Sequence, residues 1–225
     1  MGTFQIEPLF LENIKSLIEQ GDNTTLKRKL KFIHYADIAE IIERLSIDEA
    51  TYVIKLFKSE TTADALVEVD PDTRERILEN LSAKEIAKEV AELDSDDAAD
   101  IILELSEARQ EKVMSQIDDD EHVKDIRELI KYDENTAGGL MAKELVKIEE
   151  DLSVLKCLNE MRAQGENVTR VHSIYVVDKN NKLKGRLSLK DLITANSKDK
   201  VKDIYIPKVD FVTVDQNNEE VAKIM

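Results

Sequence analysis

Apolar positions fall into two regimes along this chain. From Ile42 to Leu129 they recur every twelve residues. Leu45, Phe57, Val69, Leu81, Leu93, Leu105, Ile117 and Leu129 form one series, and Ile42, Ile54, Leu66, Leu78, Val90, Ile102, Met114 and Ile126 stand three places before each. Every one of these positions is apolar, in a chain that is 42% hydrophobic. A three-residue spacing puts each pair on one face of a helix. The residue after each mark is often a helix opener: Ser46, Asp70, Ser82, Asp94, Ser106 and Asp118. Such side chains accept hydrogen bonds from the first backbone N–H groups of a helix. Ser46-x-x-Glu49 and Ser82-x-x-Glu85 have capping-box spacing. Each unit therefore reads as one short helix and a tight turn. A helix of about ten residues does not stand alone in water, so the units must stack into a superhelix.

Residues 4–33 read as amphipathic helix broken near Gly21-Asp22-Asn23, with Phe10, Ile14, Leu17 and Ile18 on one face before the break and Leu26, Leu30 and Ile33 after it. Past Gly138-Gly139, the chain's one double glycine, the period changes. Short strands are expected at Leu145–Ile148, Ser173–Asp178 and Leu183–Leu189, with helices at Leu152–Ala163 (Leu155, Leu158 and Met161 inward) and Lys190–Ala195. A further strand is expected at Asp210–Val214 and a helix from Asn218 to Met225. Glycine tolerates positive φ, and the pair reads as a joint between an all-helical half and an α/β half.

Charge narrows the function classes. The chain has 225 residues and a formal net charge of −16, which argues against nucleic acid and against an anionic membrane surface, and favours cations or a basic partner. The stretch Ser82–Glu121 holds fourteen Asp/Glu against four Lys/Arg. The single cysteine, Cys157, sits in an apolar helical pattern and reads as a buried structural thiol. No apolar run reaches the roughly 20 residues that span a bilayer, and the first twenty residues lack a signal-peptide pattern.

Tyr132-Asp133 followed by Thr136-Ala137-Gly138-x-Leu140-Met141 resembles the junction of MgtE-type magnesium transporters. His34-Tyr35-Ala36-Asp37-Ile38-Ala39-Glu40-Ile41-Ile42 and Asp96-Asp97-Ala98-Ala99-Asp100-Ile101-Ile102 are similar to repeat signatures of that family's N-terminal domain. Val177-Asp178…Leu183-x-Gly185-x-Leu187-Ser188-Leu189-x-Asp191-Leu192 resembles a CBS domain. The resemblance implies a multi-domain chain: an all-α, right-stacked short-helix superhelix over residues 1–135, an α/β CBS domain over 136–197, and the incomplete start of a second CBS domain over 198–225.

Candidate chemistry is limited to two places. Asp96, Asp97 and Asp100 open one helix. Carboxylates at a helix N-terminus are stabilised by the macrodipole without any ligand, yet Asp96 and Asp100 are like charges at i,i+4, whose repulsion a cation relieves. Mg²⁺ suits such a place, needing only one or two carboxylates and keeping several waters. The resemblance implies that Asp96 and Asp100 hold Mg²⁺, with Asp97 beside them and Asp64 on an earlier helix as a further candidate. The run Asp118–Glu121 reads as capping, and it lacks the order of an EF-hand loop. In the CBS unit, the resemblance implies that Ser188, Asp191 and Lys190 hold the ribose and phosphate of ATP or another adenine nucleotide. The competing reading is that Ser188 ends a strand and Asp191 begins a helix.

No catalytic set is legible: His34, His122 and His172 stand apart with no paired acid or thiol. The expectation is a Mg²⁺-sensing regulatory portion of a magnesium transporter or channel, not an enzyme. It would lie at the cytoplasmic face of the membrane, itself soluble. It would dimerise through CBS domains, act on a transmembrane domain of the parent, and close the pore when Mg²⁺ bridges the helical and CBS halves, which swing about the Gly138-Gly139 joint. The alternative is a soluble adenine-nucleotide-sensing CBS module on a helical interaction scaffold.

Overall fold

The computed structural model describes residues 6–57, 60–165, 168, 171 and 173–224. His172 and Met225 lie outside them. The chain divides into two compact units, Met1–Lys131 and Tyr132–Met225. Among the described residues no helix is long and apolar enough to cross a membrane.

The first unit is all helix: α1 (Pro8–Gln20), α2 (Asn23–Leu30), α3 (Tyr35–Glu43), α4 (Ile47–Phe57), α5 (Glu60–Glu68), α6 (Pro71–Glu79), α7 (Ala83–Val90), α8 (Ser95–Leu103), α9 (Glu107–Met114) and α10 (Asp120–Leu129). Gly21 ends α1 at φ 66°, and Asp22 caps α2 through the Thr25 N–H. From α3 onward the strongest helix packing joins helices two places apart: α3 on α5, α5 on α7, α7 on α9, α4 on α6, α8 on α10. The twelve-residue apolar pairs supply that packing. Both members of every pair are buried except Phe57, which is half-buried.

Polar groups close the turns between these helices. Ser82 and Glu85 form a full capping box, and Ser46 and Glu49 exchange the same pair of bonds. Asp70 caps α6. Ser106 and Asp94 occupy the N-cap position of their helices, but neither side chain makes the cap bond. The cap of α10 is Asp119, accepting from the Glu121 and His122 N–H groups, rather than Asp118. His34 opens α3, its Nδ1 accepting from the Ala36 N–H. Two arginines reach back to carbonyls at helix ends: Arg74 to Leu66, Val67 and Val69, and Arg109 to Leu78 and Leu81.

The second unit holds β1 (Val146–Glu149), α11 (Val154–Gly165), β2 (Ile174–Val177), β3 (Leu183–Leu187), α12 (Leu189–Thr194) and α13 (Asn218–Ile224). The sheet order is β1-β2-β3, β1 parallel to β2 through the α11 crossover and β2 antiparallel to β3. Val146, Ile148, Val154, Cys157, Ile174, Val176, Leu187, Leu192 and Val201 make one core. Burial pushes the Cys157 thiol up to about 11, so it is an inert structural thiol. The free edge of β1 is covered by Gln164, whose side-chain amide bonds both the N–H and the carbonyl of Lys147.

Three expectations need correction here. Leu155 faces outward, 55% exposed, because Val154 and Cys157 carry the inward face of α11. Asp210–Val214 forms no strand; it is irregular chain whose end is tied to the double glycine. Gly138 N–H donates to the Val214 carbonyl and Ala137 N–H to that of Gln216, at 2.8 Å each. Gly138 and Gly139 are therefore held inside the second unit, and neither has positive φ. A Cβ on Gly138 would lie 2.6 Å from the Tyr132 ring, and one on Gly139 would run into the Asp133 carbonyl. These residues are glycine for close approach, not for swing.

Candidate functional site

The first turn of α8 gathers acid by sequence alone. Asp94 is in extended conformation before it, Asp96 and Asp97 lie in the first turn, and Asp100 follows one turn later. Asp96 and Asp97 are half-buried and Asp100 is exposed. The fold then adds Asp64 from the middle of α5. Burial is the largest cause that pushes the Asp97 carboxyl up, to about 6, followed by the charges of Asp96, Asp100, Asp94 and Asp64. Burial likewise raises Asp64, with Glu60 and Asp94 adding to the effect and His34 opposing it. The four candidate residues thus share one negative field, contributed by two helices distant in sequence.

Among the described residues no group of three or more His, Cys, Asp or Glu side chains stands close enough to hold a metal ion directly. The donor set is all hard oxygen, dispersed and half-solvated. Such a set can hold a hydrated cation of the Mg²⁺ type only through one or two carboxylates, with waters completing its shell.

Two acids escaped the reading of the sequence. Asp94 looked like a cap, but its charge bears on both Asp64 and Asp97. Glu89, on α7, is 4% exposed. Its carboxyl is hydrogen-bonded to Thr62 of α5, Oε2 has no partner, and burial pushes it up to about 7. A signal for it was present. Counting by twelves, Ile41, Val53, Ala65, Ile77, Ile101 and Val113 occupy the equivalent places and all are buried; Glu89 is the buried acid of that column, whose last member, Asp125, is half-buried.

In the second unit, Ser188 Oγ accepts from the Asp191 N–H at 3.0 Å and donates to Asp191 Oδ2 at 2.7 Å. The pair opens α12, a helix of six residues, and Lys190 is exposed beside it. The Ser188 hydroxyl is thus satisfied by Asp191 as both donor and acceptor.

The fold is that of a two-unit chain, a twelve-residue helical repeat with a buried acid and an acidic helix start followed by a β-α-β-β-α unit. Residues 33–135 match the MgtE intracellular N domain, and residues 137–198 match the CBS domain. The chain carries the MgtE intracellular N domain followed by a CBS domain. It is 42% identical over 97 residues to the magnesium transporter MgtE of Thermus thermophilus, a stretch covering 43% of this chain and 22% of that protein. It is 33% identical over 95 residues to the MgtE of Enterococcus faecalis, covering 42% and 21%. The match spans about a fifth of the length of these curated relatives. Among solved structures, the cytosolic domain of the Mg²⁺ channel MgtE in complex with ATP superposes with a TM-score of 0.87 at 29% identity, over 96% of this chain and 88% of that one. The soluble part of a magnesium transporter gives 0.80 at 23% identity, over 95% and 84%, a likeness of fold.

Proposed function

We propose that this chain is the Mg²⁺-sensing regulatory portion of a magnesium transporter or channel, at the cytoplasmic face of the membrane and dimeric through its CBS region. In this reading Asp97, Asp96, Asp100 and Asp64 take up hydrated Mg²⁺, shared with the CBS half, and the cation-held state closes the pore of the parent. Residues 198–225 open a second CBS unit. One observation carries the reading: Asp97 is half-buried amid four carboxylates that all raise its proton affinity. A group of like charges sharing one field is a standing cost that a divalent cation relieves. A ligand drives a switch only through its differential affinity for two states, so several weak sites acting together suit a graded sensor.

The test is thermal unfolding of this chain with Mg²⁺, against Na⁺ at matched ionic strength. Mg²⁺ is expected to raise Tm by a few degrees per decade of concentration above its Kd. Asp97→Asn should raise Tm without Mg²⁺, because it removes repulsion, and should abolish the Mg²⁺ increment. Equal effects of Mg²⁺ and Na⁺ would reduce the cluster to screening and sink the sensor.

A second reading, an adenine-nucleotide-sensing CBS module, is favoured by one observation: the 29%-identical structural relative is in complex with ATP. Ser188, Lys190 and Asp191 would then bind ribose and phosphate. The Ser188–Asp191 bond has to open for that. Calorimetric titration with ATP, repeated in Asp191→Ala, decides it.

A further inference from the structure

The helical unit has a basic end. Lys27, Arg28, Lys29 and Lys31 fall within residues 23–33, which contain no acid, in a chain of net charge −16. All four are exposed, and none forms a salt bridge among the described residues. Asp22, the cap of α2, feels Arg28 and offsets part of its charge. The packing of α2 is met by its other side, where Leu26 and Leu30 are buried.

Large apolar side chains stand out at the same end. Phe32 is 86% exposed and Leu9 is 74% exposed, whereas the sixteen repeat positions further along are buried or half-buried. Lys29 Nζ lies 5.8 Å from the ring centroid of Phe10, in the first turn of α1, so that turn sits beside the last turn of α2. Lys31 Nζ lies 5.5 Å from the Phe32 ring. Leu9, Phe10 and Phe32 are thus interleaved with the cations.

We propose that this end of the helical unit docks on an anionic membrane surface, its lysines and arginine against lipid headgroups and Phe32 and Leu9 in the interfacial layer. Exposed basic residues with protruding apolar side chains are the combination that interfacial binding uses. Lysine is a hydrated point charge on a flexible stem, suited to a mobile array of anions more than to a fixed fork. A side chain 86% exposed protrudes, and a deformable interface receives it without a preformed pocket. The net negative charge does not forbid this. The stack runs from α1 and α2 at one end to α8 and α10 at the other, where the acid concentrates. Fields are screened beyond about 8 Å at physiological salt. The proposal rests on the membrane-transporter reading only for the presence of a bilayer; its test does not involve Mg²⁺ sensing.

The experiment is co-sedimentation of this chain, in Mg²⁺-free buffer, with vesicles of phosphatidylcholine alone and with phosphatidylserine added. Binding is expected only with phosphatidylserine, weakening as salt rises. Each of Lys27→Gln, Arg28→Gln, Lys29→Gln and Lys31→Gln should weaken it about fivefold. Phe32→Ser should weaken it severalfold with the salt slope kept, and Lys112→Gln, on α9, should leave it unchanged. Circular dichroism checks that each variant is folded. No binding, equal binding to both vesicles, or equal loss with Lys112→Gln would overturn the proposal. Displacement by inorganic phosphate at matched ionic strength would assign the cations to a soluble anion instead. Salt-sensitive self-association without vesicles, abolished by the same four variants, would assign this end to the acidic α7–α10 face of a second copy.

Discussion

The two units of this chain solve the same problem, burying short elements, by opposite means. In the helical unit most helices meet the one two places along, so their contacts are near in sequence and repeat with the period. In the CBS unit the sheet is made by distant partners, Val146 with Ile174 and Lys147 with Tyr175 across the α11 crossover. Surfaces differ accordingly. Among the described residues, the CBS unit leaves Leu155, Leu189, Ile193, Ile206 and Phe211 exposed, while the helical unit confines such exposure to Leu9, Phe32 and Leu103. Local, periodic packing is complete within its own unit; a three-stranded sheet with a single α11 crossover is not.

The largest effects come from testing each kind of packing at its tightest point. Leu66 is fully buried in the repeat, and Leu66→Ala should cost about 3–4 kcal/mol from lost transfer energy and the cavity left behind. In the CBS unit the tight point is a glycine. A Cβ on Gly185 would run into the Ile206 carbonyl, with the Tyr205 ring 2.5 Å away. Arg186 and Ile206 exchange both backbone bonds there, so that carbonyl is fixed. Gly185→Ala should cost about 2–3 kcal/mol by overpacking. Urea unfolding measures both. A Gly185→Ala cost below that of a surface change would show that the β3 edge gives way freely.

Glu89 is where the helical unit breaks its own rule. The unfolded carboxyl titrates near 4.5, the folded one near 7. Between those values the folded state keeps a proton that the unfolded chain has released. Stability therefore falls as pH rises from about 4.5 through 7 and is level above that, by about 3 kcal/mol in total. Glu89→Gln keeps an acceptor for Thr62 and removes the charge. It should flatten this slope and make the chain more stable at pH 8 than the parent, seen as a higher urea midpoint. A parallel, undiminished slope in the variant would place the titration elsewhere, with Asp97 and Asp64 next in line, since both are raised in the same direction.

Legibility followed the same division. The period of twelve located every helix from α3 to α10 and nearly all of their core, because each unit's fate depends on residues within a turn or two. Glu89 was legible only through its own column, Ile41, Val53, Ala65, Ile77, which runs one place before the pairs that mark the helices. The period could not say that Asp64 would join the α8 acids, which depends on how α5 and α8 are brought together. In the CBS unit the strands were legible from apolar runs. The role of Gly138-Gly139 was not: Gly138 is crowded by Tyr132 and by Val214, 76 residues further on, and Gly139 by the Asp133 carbonyl. Leu155 was misread because, in α11, Val154 and Cys157 alone carry the fully buried face.

The smallest predicted effect separates sequence signal from structural use. Ser82 and Ser106 hold equivalent places in the repeat, two periods apart. Ser82 Oγ accepts from the Glu85 N–H at 3.3 Å, while the Glu85 carboxylate takes the Ser82 N–H at 2.7 Å. Ser106 makes no side-chain cap bond. Ser82→Ala should therefore cost about 1 kcal/mol, and Ser106→Ala only a few tenths. Ser188→Ala, which opens α12 of the CBS unit with the same bond to the residue three along, should match Ser82→Ala. Denaturant midpoints of the three variants compare the units directly. Equal costs for Ser82 and Ser106 would mean that the serine acts through its helix-opening backbone preference, identical in every repeat, rather than through the hydrogen bond that distinguishes them.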